Sequence, residues 1–215
     1  MFYTTWYETC GTGLSTLQRS LIALEHTTAN QRGYSPDLIP ALLQTPAYAR
    51  AVLSVCVSVL QIPDDTEETV TALLQRHTIL DAPGRRFHLL IGETALLRKV
   101  GAADVMADQV RFLLEILATR ENVEIGIVPL DSELVAPAAN FVIPDESIVD
   151  IETVTGFVTA TGAEEIASAV RTFDLIATVA AYDDGARVIL NRALATHVIG
   201  CSQAALTSNI GQGSP

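Results

Sequence analysis

Lysine is nearly missing from this sequence: Lys99 is the only one in 215 residues, and Lys and Arg together number 13 against 25 Asp and Glu. The resulting net charge of −12 argues against a nucleic-acid surface, because phosphate binding needs clustered cations. No basic run exceeds Arg85-Arg86 or Arg98-Lys99. Cysteine is scarce as well. Cys10, Cys56 and Cys201 are odd in number and form no CxxC pair. With no secretory leader at the N-terminus, they point to a reduced, cytoplasmic setting. The longest apolar stretches, near 51–62 and 176–182, fall far short of the about 20 residues that span a bilayer. No GxSxG, HExxH, Walker A or GxGxxG signature is present, and Gly11-Thr12-Gly13 lacks a preceding strand and reads as a turn. His26, His77, His88 and His197 are scattered, with no pair at ligand spacing, so neither a metal nor a cofactor is expected.

Apolar residues, by contrast, are abundant. They make up 49 % of the chain, and the mean hydropathy is +0.33. A chain of this length buries one sizeable core without covalent staples. The excess implies a large core, an apolar cavity or a homodimer interface.

The pattern divides the chain into three parts. Residues 1–12 form an aromatic N-terminal segment, with Phe2, Tyr3, Trp6 and Tyr7, expected to pack onto the body or a second subunit. Residues 13–200 read as a single α+β domain. Residues 201–215, rich in Ser, Gly, Gln and Asn, read as a disordered tail. Within the domain, Leu14, Leu17, Leu21 and Leu24 predict a helix over 14–31 that stops at Gly33. Thr45-Pro46 is a strong helix start, with Thr as N-cap and Pro at the first helical position. Asp64 or Asp65 can cap the next helix, which runs to about Leu80. Strands are expected at 86–91, 123–128, 140–144, 147–152 and 154–159, and helices at 103–118, 163–181 and 184–197. The passage from Phe87 to Val128 suits a parallel crossover. The expected fold is helix-rich α+β with a central mixed sheet of four or five strands covered by helices.

One stretch stands out, Tyr34 to Arg50, reading YSPDLIPALLQTPAYAR. Its Pro40-Ala41-Leu42-Leu43-Gln44-Thr45 and Tyr48-Ala49-Arg50 resemble the C-terminal domain of unknown function found in actinobacterial Xre-type helix-turn-helix regulators. Further matches follow in order: Leu24-Glu25, Ile91-Gly92-Glu93, Ala95-Leu96-Leu97-Arg98, Val100-Gly101, Met106 with Gln109 and Val110, Asn122-Val123, and Val128-Pro129. The likeness covers roughly residues 14–197. Three departures stand against it. The usual Gly is Ala41, the usual Gly-rich, His-containing loop after the Val-Pro strand is Asp131 to Pro137, and the usual Ser- and Glu-bearing start of the last helix is Tyr182-Asp183-Asp184-Gly185. The 33 residues before Tyr34 do not read as a helix-turn-helix, so the domain is expected to stand free of a DNA reader.

Candidate site residues are few. Glu93 and Glu152 each end an expected strand; if those strands are neighbours, one carboxyl with a raised pKa can serve as a general acid. The alternative is that each caps a helix or pairs with an Arg such as Arg98. Gln44 and Tyr48 either satisfy local backbone groups or face a ligand. Tyr34, Trp6 and Tyr7 complete the candidate ligand contacts, with the 131–137 loop setting specificity. Two functions fit this sparse polar signature. The first is a sensor-like domain binding a small apolar molecule in specialised metabolism or its regulation. The second is a cofactor-independent cyclase or isomerase working on a polyketide-like substrate by shape and hydrogen bonding.

The charge balance generates one direct prediction. The chain will not retard promoter DNA from its own locus in a gel shift at physiological salt. Salt-sensitive, sequence-specific retardation would overturn the reading of its surface.

Overall fold

The computed structural model describes residues 1–210, with side chains described for residues 1–200. Its elements run β1 (Phe2–Thr5), α1 (Trp6–Cys10), α2 (Ser15–Thr27), β2 (Asn30–Ser35), α3 (Pro46–Leu60), α4 (Thr66–His77), β3 (Arg86–Gly92), α5 (Glu93–Leu97), α6 (Ala103–Thr119), β4 (Val123–Val128), β5 (Phe141–Pro144), β6 (Val149–Glu152), β7 (Gly156–Ala160), α7 (Ala163–Val179) and α8 (Asp183–Ile210). Helix α8 thus enters the segment expected as a disordered tail; residues 211–215 of that segment lie outside the described residues.

The fold is α+β and helix-rich with a mixed sheet, but the sheet has seven strands in the order β1-β7-β6-β5-β2-β3-β4 rather than four or five. The two unexpected strands are β1 and β2. Strand β2, NQRGYS, lies where the leucine spacing predicts the end of a helix and a stop at Gly33. It has no apolar alternation to announce it. It forms because its backbone is paired on both sides, parallel to β3 from Asn30↔Arg86 to Ser35↔Ile91 and antiparallel to β5 from Gln31↔Pro144 to Tyr34↔Phe141. β3 and β4 are parallel, joined through α5 and α6, as the crossover reading expects. β5, β6 and β7 form the expected meander, and β1 adds antiparallel to β7 at the edge.

Side chains directly opposite in register share a face. On one face Leu90, Phe141, Ile143, Val149 and Ala160 pack under Phe173 and Ile176 of α7. On the other, Phe87, Leu89, Ile91, Val123, Ile125 and Ile127 meet Met106, Val110 and Leu113 of α6 and Ile189 and Leu190 of α8. A satellite core of Cys10, Leu14, Leu53, Val70 and Leu73 holds α1 to α4 together. Arg76 of α4, itself buried, reaches Glu25 of α2 through two parallel bonds of 2.9 Å (Nε) and 2.5 Å (Nη2) and also donates to Gln18. Such a two-pronged buried pair satisfies both charges and sets the register of the helices.

The Pro40–Arg50 stretch is a clasp. Thr45 caps α3 by accepting from the Tyr48 N–H, as its sequence predicts. Gln109 of α6 accepts from the Thr45 N–H at 2.7 Å and donates to the Leu43 carbonyl at 2.7 Å. Gln44 donates to the Ile39 carbonyl at 2.7 Å, and the Tyr48 hydroxyl accepts from the Ile39 N–H at 3.2 Å. Three buried side chains therefore satisfy four backbone groups of an irregular segment that has no ladder to pair with.

Tyr48→Phe, which strands the Ile39 N–H, should cost about 1–3 kcal/mol and lower Tm by several degrees. Gln109→Leu strands two backbone groups and should cost more. Thermal melts followed by circular dichroism test the order; equal melting temperatures for wild type and both variants would refute the clasp.

Candidate functional site

The structure separates the sequence-derived candidates. Tyr48 is fully buried and Gln44 nearly so, and both belong to the clasp rather than to a site. Tyr7 is 72 % exposed. Tyr34 lies on the α7 face with its ring 6.2 Å from that of Phe141. Glu93, buried at the start of α5, accepts from the Leu130 N–H at 3.0 Å and from Arg192 of α8, so it is a structural tie with an Arg other than Arg98. Arg98 instead holds Asp37 at 2.8 Å. Glu93 and Glu152 do not meet at one edge of the sheet, because β5 and β2 separate β6 from β3.

Glu152 and Trp6 do come together. Glu152 stands opposite Phe157 in register, and the Trp6 ring lies 5.7 Å from that of Phe157 while its indole N–H donates to the Thr153 carbonyl at 3.0 Å. A polar ladder crosses three strands here. The Ser35 hydroxyl donates to Asn140 Oδ1 at 2.9 Å, and Asn140 Nδ2 donates to Glu152 Oε2 at 2.5 Å. Glu152 is exposed, yet the protein around it pushes its carboxyl pKa up; Asn140 and the Arg76 charge oppose that shift and Asp150 adds to it. Sequence reasoning missed Ser35 and Asn140, since only the pairing of β2 with β5 brings them beside Glu152.

The opposite face of the same strands holds an apolar cleft of about 320 Å³. Its floor is Phe141, Val149, Ile151 and Ala160, its wall is the Glu165, Ser168, Ala169 and Thr172 side of α7, and its rim is Pro137, Ala138, Ala139 and Met1. The 131–137 loop therefore reaches the rim at Pro137, as does the N-terminus at Met1. The volume falls within the range of small-molecule pockets, and so does the balance of apolar lining and few polar groups.

A broader cleft of about 870 Å³ opens at the starts of β2, β3 and β4. Its polar groups are largely engaged. Arg32 pairs with Glu146 at 3.1 Å, Arg85 donates to carbonyls at the end of α2, and Asp145 accepts from the Ala29 and Asn30 N–H groups. His88 there contacts the Tyr182 hydroxyl at 2.9 Å and the Phe173 ring edge-on at 4.8 Å. Burial lowers its pKa while the Glu124 carboxylate, 3.6 Å away, opposes that shift, so it is a half-buried histidine held by its ring contacts. Among the described residues, no three His, Cys, Asp or Glu side chains group as metal ligands, and no helix is long and apolar enough to cross a membrane.

The raised pKa of Glu152 has a testable sign. Its folded-state pKa lies above the ordinary value of 4.5, so ionisation costs the folded state more than the unfolded, and this contribution to stability declines as pH rises through that window. Glu152→Gln keeps an oxygen for Asn140 and removes the charge. Its Tm should gain on wild type between about pH 4.5 and neutrality. A Tm difference that stays constant with pH would show that Glu152 is solvated like any surface carboxylate.

No curated protein and no solved structure matches the chain. Residues 18–192 match a family described as a domain of unknown function, DUF5753. That span begins within α2 and ends within α8, and so takes in the clasp, both faces of the sheet and every residue of the ladder. The chain belongs to the DUF5753 family.

Proposed function

We propose that this chain is a small-molecule-binding, sensor-type domain whose ligand occupies the apolar cleft between α7 and strands β5–β7. The carrying observation is the cleft itself: about 320 Å³ with a floor of Phe141, Val149, Ile151 and Ala160, rimmed by Pro137–Ala139 and Met1. The high apolar content and the resemblance to a domain carried by Xre-type regulators support the same reading. The work of such a site is desolvation and shape. Burying an apolar ligand against these side chains contributes about 25 cal/mol per Å² of apolar surface removed from water. The polar ladder on the other face favours a second reading, a cofactor-independent isomerase or cyclase in which Glu152 donates a proton. An upward shift of its pKa is the direction a general acid needs.

The neutral fluorophore N-phenyl-1-naphthylamine tests the first reading. It should brighten on binding wild-type protein with saturation at one equivalent, and Ala169→Phe, which fills the cleft from the α7 wall, should abolish the signal without loss of Tm. Unchanged binding by Ala169→Phe would move the site elsewhere. Glu152→Gln should leave probe binding unaltered, because Glu152 lies on the opposite face.

A further inference from the structure

The α7 wall of the apolar cleft carries two hydroxyls with no hydrogen-bond partner among the described residues. Ser168 and Thr172 both line the cleft and sit four residues apart in α7, which puts their β-carbons about 5–6 Å apart on one side of the helix. A helical Ser or Thr hydroxyl commonly turns back to the carbonyl four residues earlier. Five helical threonines among the described residues do so: Thr9 to Thr5 at 3.1 Å, Thr69 to Asp65 at 2.8 Å, Thr71 to Glu67 at 2.9 Å, Thr119 to Glu115 at 2.8 Å and Thr196 to Arg192 at 3.1 Å. Thr178, also in α7, donates to the Leu175 carbonyl at 2.6 Å. Ser168 and Thr172 make no such bond among the described residues.

The third polar side chain of that wall is the Glu165 carboxylate, which lies over Gly162 in the first turn of α7, where the helix dipole favours negative charge. The cleft thus presents a flat apolar floor from the sheet, a pair of hydroxyls without a hydrogen-bond partner among the described residues along one side, and one carboxylate at the N-terminal end of the α7 wall.

We propose that the ligand is a flat, mainly apolar molecule bearing hydrogen-bonding oxygen atoms along one edge, read by Ser168 and Thr172 as the specificity-determining residues. This rests on the reading that the cleft is the binding site. The sheet floor takes the apolar face, and the two hydroxyls take the oxygens, as donors to carbonyls or acceptors from hydroxyls. A small number of placed polar groups on an apolar lining fixes the ligand's orientation, and a ligand lacking its oxygens forfeits only those bonds. An anionic ligand is disfavoured, because the charged group on the α7 wall is the Glu165 carboxylate.

Equilibrium dialysis with two probes, naphthalene and 2,7-dihydroxynaphthalene, against wild type and the double variant Ser168→Ala/Thr172→Val tests this. Wild type should bind the dihydroxy probe about tenfold more tightly than naphthalene after correction for their water solubilities, the effect of one to two neutral hydrogen bonds. The double variant should lose that preference and keep its affinity for naphthalene, with unchanged Tm. If both probes bind wild type and the double variant retains the preference, the hydroxyls do not read the ligand and this inference fails, while the cleft stands. If neither probe binds wild type, the cleft reading fails and takes this inference with it.

Discussion

The pairing of β2 with both β3 and β5 is the constraint on which the rest of the structure depends. It joins a parallel half, β2-β3-β4, to an antiparallel half, β5-β6-β7-β1, in one sheet. A strand with six backbone pairings on one side and four on the other can be held by its ladder with little help from apolar side chains. Gly33 fits this role. Its backbone packs between the Leu89 side chain and the Phe141 carbonyl, where an added Cβ would lie 3.4 and 3.5 Å from them. If β2 were lost, Phe141 and Leu90 would no longer share a face, and the ladder would lose Ser35.

The two faces of the antiparallel half do different jobs because a strand alternates. Asn140 and Glu152 point to the polar side, while Phe141 and Ile151, their immediate neighbours in sequence, floor the apolar cleft. One short meander therefore carries a desolvated site and a titratable site back to back. In a family known only as a domain of unknown function, that arrangement narrows where ligand chemistry can reside. The remaining prominent polar groups are occupied. Glu93 ties α5, the Leu130 loop and α8 together, and Arg76 and Glu25 neutralise each other between α4 and α2.

Much of the fold was legible. The helices α4 and α6 to α8 and the strands from β3 to β7 carry their own period, and Thr45-Pro46 marks the start of α3 that the structure reproduces; the short α5 carries no period to announce it. Asp65 shows the limit of local reading. Asp64 or Asp65 reads as the cap of α4; Asp64 Oδ1 does accept from the Thr66 N–H at 3.1 Å, whereas the Asp65 carboxylate accepts from the Leu14 and Ser15 N–H groups at 2.8 Å each and closes the start of α2. Either use satisfies orphan donors of a helix terminus, and only the packing of α2 on α4 chooses between them. Of the candidate site residues, Trp6 and Glu152 were brought together. Gln44 and Tyr48 were drawn into the core by the unpaired backbone of Ile39, a demand that composition does not reveal.

By itself the sequence determined the acidic surface, the amphipathic helices and the strands whose side chains alternate, because charge and period are properties of neighbouring residues. Tertiary structure decided the seven-stranded sheet, the identity of its central strand, and which polar side chains are spent on backbone and which remain open to a ligand. The physical reason is that strand pairing and the satisfaction of buried polar groups join residues far apart in the chain. Ser35 and Asn140, 105 positions apart, meet only once the register of β2 against β5 is set.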